Sequence, residues 1–135
     1  MSGSGGGFLM EPARFPGRAP IEAYGNGGFR FAGMSHRGSI LALPSGIEAW
    51  RVGGVAEITP YAVARLIAEA PAIEILLVGT GNAMAPLPPD SRAVLERAGL
   101  FPELMATGAA VRTFNVLLSE DRAVAAALVA VGSIR

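Results

Sequence analysis

Two aliphatic segments in the second half of the chain restrict its fold more than any other feature. Residues 73–78 and 124–131 carry almost no polar side chain, so a strand built from either segment has no face suited to water. Both are much shorter than the roughly 20 apolar residues that a membrane-spanning helix needs. We therefore expect two strands that other layers of the same protein cover on both faces.

Helix signals lie before and between these two strands. Thr59 followed by Pro60 is typical of a helix start, and Pro71 is expected to end that helix. The remaining predicted elements are a short helix capped by Asp90 or Ser91 and stopped by Gly99, a strand at 103–106, and a helix at 109–119. The resulting order, a helix and then β-α-β-α-β, favours an α/β sheet with parallel strands.

The first half of the chain has a different character. A flexible arm is expected over residues 1–20, with a single α/β domain over 21–135. After a short strand near residues 21–24, three more strands are predicted at 29–34, 39–43 and 47–52, with His36-Arg37-Gly38 and Pro44-Ser45-Gly46 as the turns between them. We interpret this half as a β-meander. Periodicity leaves open whether the meander extends the sheet or forms a separate layer.

Composition excludes several kinds of chemistry. The chain has no cysteine, all eleven of its basic residues are arginine, and His36 is its only histidine. Thiolate nucleophiles, cysteine zinc sites and catalytic lysines are thereby excluded, as is a multi-histidine metal site within one chain. Neither a metal nor a cofactor is expected. A formal net charge of zero argues against nucleic acid as a partner, since phosphate binding needs clustered cations.

Two similar corners follow predicted strands and are the first candidates for a binding site. One is Gly79-Thr80-Gly81-Asn82, and the other is Thr107-Gly108 at the start of a helix. Ligands of open α/β sheets bind beyond the carboxyl ends of strands, and free N–H groups at a helix start attract anions. The simpler interpretation is that these glycines only form tight turns. A dinucleotide fingerprint is rejected because Met84 stands where it needs a third glycine.

Three further polar residues are weaker candidates. Arg112 and Asn115 form a polar ridge on the last predicted helix, either as its solvated side or as groups that reach a ligand or a partner backbone at the two corners. His36 is predicted in a turn, where hydrogen bonding is the more common role of a lone histidine. No set of nucleophile, base and orienting group can be assembled from the sequence.

Several segments resemble one known protein family. They are the stretch from Ala23 to Phe31, Leu43-Pro44-Ser45-Gly46 with Trp50, the Gly79-Thr80-Gly81 loop, and above all residues 107–118 with the block that follows to 128. The resemblance is to a small α/β domain family of unknown biochemical function that includes mitochondrial complex I assembly factor 3 and uncharacterised bacterial and archaeal single-domain proteins. It implies a three-layer fold with a mixed, mostly parallel central sheet and an additional N-terminal β element. It also implies that the last strand is interior and antiparallel to the others.

Two hypotheses for function follow. The first is a non-enzymatic interaction protein, an assembly or stability factor for a larger respiratory or membrane complex, with an unidentified protein partner. The second is an enzyme or a protein that binds a small molecule or an anion in a pocket between the two Thr-Gly loops. In either case we expect a cytoplasmic monomer or small homo-oligomer that does not insert into a membrane.

Overall fold

The computed structural model describes residues 14–132, which form two β-sheets and three α-helices. The strands are β1 (Arg14–Pro16), β2 (Ile21–Gly25), β3 (Gly28–Phe31), β4 (Met34–Arg37), β5 (Ser39–Leu43), β6 (Gly46–Trp50), β7 (Ile75–Gly79), β8 (Glu103–Met105) and β9 (Val124–Leu128). The helices are α1 (Ala64–Ala68), α2 (Pro89–Arg97) and α3 (Thr107–Ser119), and 3₁₀ turns occur at Val55–Glu57, Tyr61–Val63 and Ala70–Ala72. Residues 1–13 of the expected arm lie outside the described part, and Arg14–Pro16 form an edge strand.

The last strand lies inside the six-stranded sheet, whose order is β1-β6-β5-β9-β7-β8. β9 is antiparallel to β5, with Ala126 opposite Ala42, and parallel to β7, with Ala126 opposite Leu77. All five of its residues are buried. Their uniformly aliphatic character fits this position, because an interior strand covered on both faces has no solvated side.

Alternating side chains of the six-stranded sheet build two separate cores. Ala125, Ala127 and Val129 point to one face, where residues of α1 and α2 such as Leu66 and Leu95 complete the packing. The side chains on the opposite face of the sheet pack against α3 and the three-stranded sheet. They are Ile40, Ala42, Ile47, Leu77, Val124, Ala126 and Leu128. The sheet is therefore the middle of three layers, as the aliphatic runs require.

The β-rich first half is divided between the two sheets. β5 and β6 extend the six-stranded sheet, whereas β2, β3 and β4 form a separate antiparallel sheet in that order. The single strand predicted at 29–34 is wrong: it breaks at Ala32-Gly33, a two-residue turn with φ of +50° and +74°. Both values are those of a type I′ turn, the common two-residue link in hairpins. Asn26-Gly27, with φ of +53° and +79°, makes the same turn between β2 and β3.

Helix ends differ from the sequence expectations in detail. Thr59 does cap its segment, since its Oγ1 accepts a hydrogen bond from Ala62 N at 3.2 Å, but the α-helix itself covers only Ala64–Ala68. The second helix starts at Pro89 with Pro88 before it, so neither Asp90 nor Ser91 is its cap. Ser91 is buried and its hydroxyl donates to the Ile58 carbonyl, which ties α2 to the preceding connection.

The predicted fold class is confirmed: the protein has a mixed central sheet with helices on both faces, an interior last strand and a separate N-terminal β element. Strand directions differ from the expectation in one respect. Only the β9–β7 and β7–β8 pairs are parallel, and of its two neighbours the last strand is antiparallel to β5 and parallel to β7. One of the antiparallel pairs, β5–β6, follows from the two-residue turn at Pro44-Ser45, because a hairpin makes antiparallel neighbours.

Candidate functional site

The two Thr-Gly corners meet at one edge of the six-stranded sheet, as predicted. Gly81 N donates to Thr107 Oγ1 at 3.0 Å, and Thr107 N donates to the Gly81 carbonyl at 2.8 Å. A Cβ atom on Gly79 would stand 2.8 Å from the Thr107 Cα. Gly79 is thus required because the start of α3 passes directly over the end of β7.

Hydroxyl groups at these corners are bound within the protein. Thr107 is fully buried, and its Oγ1 donates to the Val129 carbonyl at 2.7 Å. The Thr80 Oγ1 donates to the Ala83 carbonyl at 2.7 Å and accepts from Ala85 N at 3.0 Å. The Thr80 bonds shape the loop after β7, and the Thr107 bond ties the start of α3 to the segment that follows β9. Ligand binding at the two Thr-Gly corners stays a prediction. It would depend on the side chains of Asn82 and Arg112, which are exposed.

Asn115 has a structural partner that the sequence did not suggest. Its Oδ1 accepts from Ile21 N and its Nδ2 donates to the Ile21 carbonyl, both at 2.9 Å. The side-chain amide therefore pairs with the main chain of β2 as a neighbouring strand would, and fastens the small sheet to α3. Arg112, one turn earlier, is exposed and forms no ion pair with another residue of the range 14–132.

His36 lies on a strand, so its predicted position in a turn is wrong. It belongs to β4 opposite Phe29, is half-buried, and its Nε2 is 3.3 Å from the Ser39 carbonyl. Tyr24 faces the same side from β2, and its hydroxyl occupies the space where a Cβ of Gly108 would be. The small sheet and the second Thr-Gly corner are thus in direct contact through Tyr24.

An open cleft of about 570 Å³ lies on the small sheet. It is lined by Ala23, Tyr24, Gly25, Asn26, Gly28, Phe29, Arg30, Ser35, His36 and Arg37. Arg30 and Arg37 carry the charge of this lining, which contains no acidic residue. Arg30 Nη1 donates to Ser35 Oγ at 3.0 Å, and its Nε is 3.5 Å from the Glu22 carboxylate. The arrangement suits an anionic group.

Of the predicted site residues, only His36 lines this cleft. Arg30, Ser35 and Arg37 were missed, because the predicted strand at 29–34 hid the turn at Ala32-Gly33. With that turn recognised, the alternation of a hairpin places all three on one face. The Asn26-Gly27 pair, a strong hairpin signal, was the clue in the sequence.

Two other features are absent from residues 14–132. No group of three or more histidine, cysteine, aspartate or glutamate side chains there could hold a metal ion. The helices in this part of the chain are all too short or too polar to reach across a lipid bilayer.

These features define a three-layer α/β protein in which a small antiparallel sheet, fastened by Asn115, carries the cleft. The chain belongs to the family described as protein of unknown function (DUF498/DUF598), whose model matches residues 21–129. An uncharacterised protein of Rhodobacter capsulatus is 42% identical over 118 residues, which cover 87% of this chain and 89% of the relative. The recognised family resemblance is therefore confirmed.

Other relatives carry a functional name. The NADH dehydrogenase [ubiquinone] 1 alpha subcomplex assembly factor 3 of Xenopus tropicalis is 36% identical over 109 residues, and the human protein of that name is 32% identical over 109 residues. The aligned part covers 81% of this chain in both cases, but only 60% and 59% of those relatives.

Solved structures share the fold. A protein of Bartonella henselae, described as an outer membrane protein, superposes with a TM-score of 0.82 at 56% identity and covers 87% of this chain and 98% of its own. A Bordetella pertussis protein described as an Mth938-like domain gives a TM-score of 0.71 at 28% identity, with coverage of 83% and 85%.

Proposed function

We propose that this protein is a non-enzymatic interaction protein that assists the assembly of a larger, membrane-bound respiratory complex. The observation that carries this proposal is the relation to the complex I assembly factors, which extends over 81% of the chain. The cytoplasmic location expected from the sequence stays part of the proposal. No reaction is assigned to the protein.

The arrangement of polar groups supports a role in protein binding. At the two Thr-Gly corners the threonine hydroxyls are bonded to main-chain groups of the protein itself. The small sheet, in contrast, presents exposed arginine side chains beside an open cleft. A broad, open and charged surface is more typical of a contact with a macromolecule than of an enclosed small-molecule site.

Deletion of the gene in the source organism tests the proposal. We expect less fully assembled NADH dehydrogenase on native gels and slower NADH oxidation by isolated membranes, while the complex's subunits are still synthesised. An assembly factor acts after synthesis of the subunits, so pulse-labelled subunits should accumulate in smaller subassemblies.

Two rescue experiments serve as controls. Reintroduction of the unaltered chain should restore the assembled complex. The Ala126→Asp variant, in which an unpaired buried charge should strongly destabilise the fold, should restore less of it. An unchanged amount of assembled complex after deletion would contradict the proposal.

A further inference from the structure

The two outer strands of the small sheet differ in how their outer edges are covered. The order is β2-β3-β4, so β2 and β4 each have one side that no strand of this sheet covers. On the β2 side, the Asn115 amide satisfies both main-chain groups of Ile21. Tyr24 of the same strand reaches Gly108 at the start of α3. The helix therefore covers the β2 edge at Ile21 and contacts the side chain of Tyr24.

Among the residues that the structure describes, no strand lies beside the outer edge of β4. Because Ala32-Gly33 is a two-residue turn, Phe31 and Met34 form the first hydrogen-bonded pair of the hairpin, and such pairs then alternate along the ladder. Phe29–His36 and Gly27–Gly38 are then the next hydrogen-bonded pairs. The bond from Gly38 N to the Gly27 carbonyl agrees with this alternation.

The same alternation directs the main-chain N–H and C=O groups of Ser35 and Arg37 away from β3. Within residues 14–132 these four groups have no hydrogen-bond partner in the protein. Both residues are exposed. Their spacing of two residues is the spacing with which an added strand forms main-chain hydrogen bonds.

Positive charge lies beside this open edge. The Ser35 and Arg37 side chains point to the same face of the sheet as Arg30, as the contact between Arg30 and Ser35 shows. Glu22 partly balances Arg30 at 3.5 Å, whereas Arg37 forms no ion pair with any other described residue. A segment added next to β4 would place alternate side chains above the cleft, within reach of both arginines.

We propose that an extended, acidic segment of a partner protein adds to β4 as a fourth strand of the small sheet and places its carboxylates against Arg37 and Arg30. Main-chain bonds to Ser35 and Arg37 would hold the segment, and the arginines would select for acidic side chains. The inference rests on the proposed function and specifies the surface and the chemistry of the partner.

Charge also argues against a second copy of this chain as the occupant. Antiparallel pairing of β4 with itself would bring Arg30 and Arg37 of both copies to one face of the joined sheet. Like charges placed opposite each other on adjacent strands are destabilising. An acidic strand from a partner would instead place negative charges opposite these arginines, which is favourable.

Binding of a fluorescein-labelled peptide of about eight residues, a usual strand length, tests the proposal. Its glutamate residues alternate with valine, and the full chain is titrated into it. We expect saturable binding with Kd below about 1 mM. In NMR spectra of the bound protein, the Ser35 and Arg37 amides should shift and exchange more slowly with solvent. A peptide with arginine in place of glutamate should bind at least about tenfold more weakly.

Two substitutions separate the main-chain contribution from the charge contribution. Ser35→Pro removes an outward N–H and leaves the β3–β4 bonds in place, since proline is tolerated where a strand's N–H faces solvent. Arg37→Glu reverses the unpaired charge. Each should weaken binding at least about tenfold with an unchanged unfolding midpoint. Arg97→Glu, an exposed charge reversal on α2, is the matched control and should bind as the unaltered chain does.

Three outcomes would overturn the inference. They are absence of saturable binding when the protein is raised to about 1 mM, peptide-induced shifts confined to residues outside β4, and equal weakening by Arg97→Glu and Arg37→Glu. A dimer formed through β4, seen as concentration-dependent sedimentation, would also contradict it. The deletion experiment does not depend on any of these results, so a defect in complex assembly without peptide binding would sustain the proposed function and reject this surface.

Discussion

The central strand of the larger sheet and the outer strand β4 of the smaller sheet differ sharply in how deeply they are buried. Every residue of β9, at the centre of the six-stranded sheet, is buried, whereas no residue of β4 in the small sheet is. The aliphatic strand leaves no polar group for contact with other molecules, and the exposed strand carries serine, histidine and arginine. The centre of the larger sheet therefore supplies stability, and the outer strand of the smaller sheet supplies a surface available for recognition.

A charge placed in each sheet tests this contrast most strongly. Ala126→Asp puts a carboxylate at a fully buried position of β9, and we predict a loss of about 4 kcal/mol or more, because nothing there can pair with it. Ala23→Asp, in the exposed part of β2, should change the free energy of unfolding by less than about 1 kcal/mol. Urea unfolding followed by circular dichroism measures both. Equal destabilisation would contradict the division of roles.

Gly79→Ala tests the corner between β7 and α3. The added Cβ would approach the Thr107 Cα to 2.8 Å, so main chain must shift, and we predict destabilisation of about 1–3 kcal/mol in urea. Gly54→Ala is the matched control, because its new Cβ meets no atom within 4 Å and its φ is −167°. Equal unfolding midpoints for the two variants would show that the corner is not tightly packed.

Asn115→Ala should loosen the small sheet while the larger sheet stays folded. Removal of the amide leaves the N–H and C=O of Ile21 without their partner, at a cost of about 1–2 kcal/mol. Hydrogen exchange should accelerate at Ile21 far more than at Leu77 in β7. Ser119→Ala, which removes only a local bond to the Val116 carbonyl on the same helix, should leave both rates unchanged.

The smallest predicted effect is a dependence of stability on pH through Glu48 of β6. Partial burial raises the pKa of this carboxyl, but hydrogen bonds from Arg65 and Arg14 outweigh burial and hold the pKa below its ordinary value. A lowered pKa in the folded state adds stability above the unfolded value, near 4.3, and this stability is lost as the pH falls through the folded value.

Glu48→Gln should therefore reduce stability at pH 7 by at most about 1 kcal/mol, since both arginines are largely exposed. The difference from the unaltered chain should shrink towards pH 3 in thermal unfolding. A difference that is constant from pH 7 to pH 3 would show that the charge of Glu48 contributes nothing.

The sequence predicted the buried part of the fold better than the exposed part. Segments 73–78 and 124–131 had to be covered on both faces, and β7 and β9 are. The strand at 29–34 was wrong because Ala32 is a poor indicator of a turn that needs positive φ. A long aliphatic segment can only be placed in the interior, so its position is predictable. The bounds of a short, half-exposed strand depend on the turns beside it, which are harder to recognise.

The candidate site shows the same limit. The sequence predicted that the Thr80 and Thr107 corners meet, because both follow the carboxyl ends of strands in the same sheet. The two corners are indeed joined by hydrogen bonds. The pairing of Asn115 with Ile21 could not be predicted, because it joins residues 94 positions apart and uses an amide that is equally suited to solvent. The cleft was missed because it depends on the register of two hairpins.

The central position of β9 has a consequence for synthesis. A ribosome completes β5 and β7 well before residues 124–128, so the two halves of the six-stranded sheet cannot join until the strand that lies between them has left the exit tunnel. Until then the aliphatic edges of β5 and β7 are both unpaired, which is the state in which nascent chains aggregate. A chaperone that holds the unfinished chain would be most useful in that interval.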